Sequence, residues 1–129
     1  MKSYGLALTT LIFVFVLTGC AATTQVQRSD SFSIDSDFES VWSAALASVN
    51  EMGFTIRNTE KSSGFIFAQG GRSALTQNEA PQMNISIAAG QEGHSVVVTV
   101  TAVQPGQLVD YGASTRNAQR FREVLESRF

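Results

Sequence analysis

The chain has 129 residues, a formal net charge of −2, one cysteine and one histidine. That length suits a single domain preceded by a short leader. The charge gives no basic surplus, so we expect no nucleic-acid partner. One cysteine and one histidine exclude an internal disulfide and the usual multi-ligand zinc sites, so we expect no metal.

The N-terminal segment predicts a secretory signal rather than a membrane-spanning helix. Lys2 supplies positive charge, and an apolar run over residues 6–17 follows it, interrupted by Thr9 and Thr10. A spanning helix needs about 20 apolar residues. A signal needs only about 7–15, followed by small residues at a cleavage site. The length of the run therefore favours a signal peptide over residues 1–19.

The end of this segment, Leu17-Thr18-Gly19-Cys20, resembles the lipobox of bacterial lipoproteins, which is a leucine, two small residues and a cysteine. The resemblance implies cleavage between Gly19 and Cys20, a diacylglyceryl group on the Cys20 thiol and an acyl chain on the new amino terminus. We expect no cofactor besides these covalent lipids. Two or more acyl chains anchor a protein stably. The alternatives are an uncleaved anchor and an unmodified cysteine.

The same resemblance bears on location, through the residue after the cysteine. In Gram-negative lipoproteins an aspartate there implies retention in the inner membrane, whereas this chain has Ala21. The resemblance therefore implies the periplasmic face of the outer membrane, with the membrane as a partner through the lipid anchor. Residues 20–30 are small and polar without periodicity, which predicts a flexible tether. Residues 31–129 are expected to form a single α+β domain.

The pattern within that domain predicts a strand, a helix, four strands and a final helix. Apolar residues recur at helical spacing in both helices. Ser36 and Glu39 have the spacing of a capping box with Ser36 as N-cap, and Gly53 can end the first helix. Ser114 or Thr115 is expected to cap the second helix. The expected strands are 31–34, 54–58, 65–68, 83–87 and 95–103, and the expected helices are 37–52 and 115–127.

Alternation along two of the strands predicts an antiparallel sheet with one wet face. Each helix has one apolar stripe, so both helices are expected to pack on the same face of the sheet. The predicted fold class is α+β, with an antiparallel sheet of about five strands and two helices on one face. The polar positions are Asn84, Ser86, Thr99 and Thr101, and the apolar positions are Met83, Ile85, Ile87, Val98 and Val100.

The segment 31–69 resembles the repeated unit of the BamC family of outer-membrane assembly lipoproteins. The resemblance implies a helix-grip-like α+β domain and, for function, a role in envelope assembly. The shared features are Asp37-Phe38, Val41-Trp42, Gly53-Phe54 and Gly64.

The last helix carries candidate partner contacts. Its arginines can meet anionic lipid or an acidic partner, with Arg116 and Arg120 as the main candidates. The arginines of this set are Arg116, Arg120, Arg122 and Arg128. The spacing from Arg120 to Glu123 and from Arg122 to Glu126 also suits ion pairs on a solvated helix face. The sequence leaves these two interpretations open.

The connection over residues 70–81 is the other candidate contact region. Loops of this length in compact domains are often either functional or mobile, and the sequence leaves both interpretations open. Its polar residues Arg72, Gln77 and Asn78 are singled out as candidate contacts. His94 lies beside a turn without a nucleophile or an orienting partner nearby in the sequence, so we expect an exposed histidine rather than a catalytic base.

No nucleophile, base and orienting group occur together, so the chain is not expected to be an enzyme. The first hypothesis is a protein-interaction or envelope-assembly module that binds an envelope protein through the wet sheet face, the loop or the arginine-bearing helix. The second is a binding protein for a small apolar ligand or lipid, held in a pocket between helix and sheet. A filled interior would favour the first hypothesis.

Overall fold

The computed structural model describes residues 26–71, 79–91, 93–106 and 112–129. In these ranges an antiparallel sheet has the strand order β1-β5-β4-β3-β2. Both helices pack against one of its faces, which confirms the predicted α+β class. The elements are β1 Val26–Ile34, α1 Phe38–Glu51, β2 Thr55–Glu60, β3 Phe65–Gln69, β4 Gln82–Ala89, β5 Val96–Gln104 and α2 Ala113–Glu126.

The first strand begins at Val26, earlier than the predicted start at Ser31. Residues 26–30 therefore belong to the sheet and not to the tether. An edge strand needs only backbone pairing with one neighbour, and every residue of β1 from Val26 onward pairs with β5. Its exposed polar side chains, such as Gln27 and Ser29, gave no apolar signal. Residues 1–25 lie outside the described residues, and with them Gly19 and Cys20.

The N-cap of α1 is Asp37 and not Ser36, so the predicted capping box is wrong. The Asp37 carboxylate accepts hydrogen bonds from the Ser40 backbone N–H at 3.0 Å and from the Ser40 hydroxyl at 2.6 Å. A carboxylate satisfies both donors at once, which stabilises the helix start. At the other end, Gly53 has a φ of 78°, and it turns the chain after the helix as predicted.

The second helix also begins at a different residue from the predicted one. Gly112, with a φ of 77°, is the N-cap of α2, and Ser114 is buried in the first helical turn. A buried serine in the first turn does not hold the cap position, so the capping role expected for Ser114 or Thr115 is wrong. Phe129 lies beyond the end of the helix and is 54% exposed, although helical spacing along the sequence puts it on the same side as Phe121.

The interior between the helices and the sheet is filled by apolar side chains. Trp42 of α1 stacks on Phe38 with ring centroids 5.9 Å apart, and Phe121 of α2 is fully buried. Native interiors of this kind are close-packed. The side chains with no exposed surface are Val41, Ala45, Val49, Ile66, Ala68, Met83, Ile85, Val98, Val100, Phe121 and Leu125.

Candidate functional site

The candidate site is the face of the sheet turned away from both helices, which we name the outer face. Strand residues alternate between the two faces, so the pairing register assigns each of them. The outer positions of β1, β5, β4 and β3 include no charged residue. These positions are Gln27, Ser29, Ser31 and Ser33; Val97, Thr99, Thr101 and Val103; Gln82, Asn84, Ser86 and Ala88; and Phe65, Phe67 and Gln69.

Two polar rows cross the middle of the outer face. The register aligns Ser31, Thr99, Ser86 and Phe65 in one row, and Ser29, Thr101, Asn84 and Phe67 in the next. Hydroxyl pairs begin each row: Ser31 Oγ lies 3.0 Å from Thr99 Oγ1, and Ser29 Oγ lies 2.9 Å from Thr101 Oγ1. These cross-strand bonds fix the hydroxyl positions, so this part of the face is ordered before any partner arrives.

Each row continues on β3 with a half-buried phenylalanine, Phe65 or Phe67. The edge strand β2 completes the rows with Glu60 opposite Phe65 and Asn58 opposite Phe67. Interface cores between proteins are depleted in charge and enriched in aromatic residues. Five strands of 5–9 residues, spaced about 4.8 Å apart, give a face of roughly 600 Å². A standard interface buries about 800 Å² per partner. The outer face therefore has two aromatic side chains, few charges and most of the area that one side of a protein interface needs.

The described surface has open grooves with mixed polar and apolar lining. One lies between β1 and α2, has a volume of about 550 Å³, and is lined in part by Arg28, Asp30, Gln119 and Arg122. It lies beside the apolar core and not within it. Because the space between helices and sheet is filled by the core side chains, the described residues favour the first sequence hypothesis over a ligand enclosed in the interior.

A second groove, of about 480 Å³, contains His94 beside Asp35 and Asp37. His94 is exposed next to the turn, where the sequence placed it. Hydrogen bonds from Ser40, first from its hydroxyl and then from its backbone N–H, lower the pKa of Asp37. Across the four described ranges, no group of three or more His, Cys, Asp or Glu side chains is placed to hold a metal ion.

The arginines of α2 have different surroundings. Arg122 donates from Nε to Glu126 at 2.9 Å, lies 3.5 Å from Asp30 and stacks over the Phe32 ring at 4.9 Å. The hydrogen bond to Glu126 is the main reason that the pKa of Arg122 is raised. Arg120 is exposed and makes no ion pair with a described residue, so only the second of the two expected pairs forms.

Arg116 is exposed as well, in the first turns of α2. Arg128, another of the arginines considered as contacts from the sequence, joins the two helices. Its Nε donates to Ser48 Oγ at 3.1 Å, and its guanidinium also pairs with Glu51. The remaining predicted contacts, Arg72, Gln77 and Asn78, lie outside the described residues. The two predicted contacts that the structure describes, Arg116 and Arg120, lie one turn apart on α2.

These features define a helix-grip domain, with an antiparallel sheet and two helices on one face, and solved structures share that architecture. An uncharacterised protein from Bacillus thuringiensis matches with a TM-score of 0.58 and 13% identity, over 80% of this chain and 96% of that one. Ara h 8.0201 matches with a TM-score of 0.55 and 10% identity, over 80% and 96% of the two chains.

Truncated norcoclaurine synthase from Thalictrum flavum matches with a TM-score of 0.50 and 8% identity, over 81% of this chain and 93% of that one. At these identities the likeness concerns the fold alone, because one fold supports many functions. The predicted helix-grip class is thereby confirmed. No protein-family model and no curated protein matches the sequence. Among the described helices, none is long and apolar enough to span a bilayer.

Proposed function

We propose that the protein is a lipid-anchored envelope protein whose domain is a non-enzymatic interaction module that binds another envelope protein through the outer face. The observation that carries this proposal is the outer face itself. Four of its strands present no charge, two cross-strand hydroxyl pairs and two phenylalanines, and neither helix covers it. The filled interior supports the same conclusion, because it leaves the surface as the place for binding.

The anchoring part of the proposal is supported by the sequence. The lipobox-like Leu17-Thr18-Gly19-Cys20 follows an apolar run of signal-peptide length. Ala21 favours the periplasmic face of the outer membrane as the location. A role in envelope assembly is supported by the BamC resemblance of residues 31–69, which include the strand, the helix and the hairpin that follow the anchor.

The outer face is tested by placing a charge at its centre. Ser86 is exposed in the middle of a row, and Ser43 is exposed on α1, on the opposite side of the molecule. Ser86→Glu adds a charge that binding would have to desolvate, at a cost of several kcal/mol, whereas Ser43→Glu is the matched control. Each variant is expressed at native level, crosslinked in cells and isolated, and the bound envelope proteins are quantified.

Loss of a specific bound protein with Ser86→Glu, and its retention with Ser43→Glu, is the expected result. Equal recovery with both variants would contradict binding through the outer face. Thermal unfolding of both variants serves as a control for folding, since exposed substitutions usually change stability by less than about 0.5 kcal/mol.

The anchor is tested separately with Cys20→Ser. This variant is expected to keep residues 1–19 and to take up no labelled fatty acid, because serine has no thiol to carry the lipid. Mass spectrometry of the wild-type protein is expected to find acyl chains on Cys20. Normal processing and labelling of the variant would contradict the lipobox assignment.

Small-ligand binding is a second candidate function. The groove of about 550 Å³ between β1 and α2 is large enough for a small molecule and offers polar groups such as Arg28 and Gln119. The shared helix-grip fold is compatible with such a role. Native mass spectrometry of protein released gently from membranes distinguishes the two, since a retained small molecule without a protein partner favours this candidate.

A further inference from the structure

We infer that the end of the sheet at which β1 begins is a membrane-contacting surface, where Arg28 and Arg57 meet anionic phospholipid headgroups. This inference rests on the proposed lipid anchor at Cys20 and goes beyond it, because anchoring alone does not orient a domain. Three features of the chain support this orientation: the short connection from Cys20 to β1, the register of the sheet and the distribution of charge.

The first step is the length of the connection between lipid and domain. A lipid on Cys20 lies at the bilayer surface, and β1 begins at Val26. The chain between these two residues spans at most about 20–22 Å, even when fully extended. Val26 therefore stays close to the headgroups. A tether that ended at Asp30, as the sequence predicted, would have allowed much more freedom.

The second step is the set of residues that share this end of the sheet, which we name the tether edge. The register aligns Gln27 with Val103, Val103 with Gln82, Gln82 with Gln69, and Gln69 with Thr55. β1 and β2 are the two outermost strands, so the tether edge runs across the whole sheet. The opposite end of β1, at Ile34, is about 26 Å from Val26.

The third step is the charge at the two ends. At the tether edge, Arg28 lies two residues after Val26, and Arg57 lies two residues after Thr55 in a groove with Gly70 and Gly71. Neither arginine makes an ion pair with a described residue. Among the described residues, the acidic side chains outside an ion pair on this side are Glu79, before β4, and Glu123, which lines the same groove as Arg28. Basic side chains at a membrane surface each contribute attraction to anionic lipid.

The opposite end of the sheet is acidic. Asp35 and Asp37 follow β1, and Glu60 ends β2. Glu39 is paired with Lys61 at 2.6 Å, so this pair adds little net charge. Anionic headgroups would repel this end and attract the tether edge. Chain length and charge therefore select the same orientation.

The orientation has a consequence for the outer face. With the tether edge on the bilayer, the strands rise away from the membrane and the outer face points sideways. A partner protein that is itself anchored in or on the membrane can then reach the two rows without tilting the domain. The tether edge contacts lipid, and the outer face remains accessible to a protein partner.

The test uses the full-length acylated protein in vesicles of phosphatidylcholine, with or without one part in four of phosphatidylglycerol. An acylated Cys20 has no free thiol, so a single introduced cysteine can be labelled with a fluorophore. Gln27→Cys and Ser33→Cys form a matched pair, because both positions are exposed on the outer side of β1. They differ by about 20 Å along the strand. Spin-labelled lipid headgroups act as the quencher.

The label at position 27 is expected to be quenched more strongly than the label at position 33, and most strongly in vesicles with phosphatidylglycerol. Arg28→Gln and Arg57→Gln are each expected to lower the equilibrium constant for docking to the bilayer by about fivefold. Replacing the exposed Arg120 by glutamine is the control, since Arg120 lies on α2, and it is expected to change nothing.

The outcomes separate this inference from the proposed function. Equal quenching at the two positions, with acyl chains found on Cys20 by mass spectrometry, would overturn the inference and leave the anchor intact. A difference in quenching between positions 27 and 33 that does not depend on lipid charge or on either arginine substitution would refute the contact of Arg28 and Arg57 with anionic headgroups. Absence of acyl chains on Cys20 would instead refute the anchor on which the inference rests.

Discussion

Gly64 joins the short turn after β2 to β3, and we predict that Gly64→Ala is strongly destabilising. The glycine is buried and has a φ of 69°. A Cβ atom built at this position would lie 1.9 Å from the carbonyl oxygen of Ile87. The same two residues are joined by a hydrogen bond, in which the Ile87 N–H donates to the Gly64 carbonyl at 2.9 Å. The clash is therefore with backbone that cannot move without disturbing β4.

Two costs add at this position. A residue with a Cβ in the left-handed conformation costs about 1–2 kcal/mol, and forcing backbone apart in a packed region costs about 1–3 kcal/mol. The expected loss in the free energy of unfolding is thus about 2–5 kcal/mol. Gly53→Ala is the matched control, because Gly53 has a φ of 78° and no atom within 4 Å of a built Cβ. Gly53→Ala is therefore expected to cost only about 1–2 kcal/mol, from the left-handed conformation.

Urea unfolding followed by fluorescence of Trp42, the single tryptophan, measures both variants. The loss for Gly64→Ala is expected to exceed the loss for Gly53→Ala by about 1–3 kcal/mol. Equal losses would refute the reasoning, since they would mean that the close approach of Gly64 to β4 has no energetic weight.

Three further predictions concern the two helices. Trp42→Ala is expected to cost about 3–5 kcal/mol of unfolding free energy, because the side chain is 6% exposed; a loss below about 1 kcal/mol in denaturation followed by circular dichroism would contradict the packing. Asp37→Ala is expected to destabilise the protein least in acid, because hydrogen bonds from Ser40 lower the pKa of Asp37 in the folded state. The stabilisation from the ionised carboxylate is fully present above the pKa of the unfolded state. It is lost as the pH falls through the lowered pKa of the folded state. A difference from wild type that stays constant down to pH 2 would refute this role. Arg128→Ala is expected to lower the free energy of unfolding by about 0.5–1.5 kcal/mol, because it removes a hydrogen bond between the helices. Arg120→Ala is the control and is expected to leave that free energy unchanged. Calorimetry measures both variants, and equal values would contradict the role of Arg128.

The sequence predicted the larger features of the fold because they depend on periodic apolar patterns. The stripe that includes Val41, Trp42, Ala45 and Val49 is buried as expected. The strict alternation of β4 and β5 correctly separated a polar face from an apolar one. Burial of apolar side chains is the dominant favourable contribution to the free energy of folding. It therefore produces an apolar periodicity along each helix and strand that is visible in the sequence.

The element boundaries were less predictable, since they depend on single hydrogen bonds and on pairing with distant residues. Both Ser36 and Asp37 are acceptable N-caps by residue type, and the choice is made by the contact with Ser40. The start of β1 at Val26 depends on its pairing with Gln104, far along the chain. A local pattern contains neither piece of information.

The candidate surface was predictable only in part. Alternation identified the polar positions of β4 and β5, but the rows that extend to Ser31 and Phe65 need the register across four strands. The sequence also drew attention to arginines as a group. Their separate roles, such as the stacking of Arg122 on Phe32, arise from tertiary contacts.

Site-specific photocrosslinking in living cells tests whether the outer face binds an envelope protein. A photoreactive amino acid is placed at Ser86 on the outer face or at Ser43 on α1, both of which are exposed. Binding through the outer face predicts one discrete crosslinked protein from position 86 and none from position 43. A crosslink from position 43 alone, or the same products from both positions, would show that the outer face is not the binding surface.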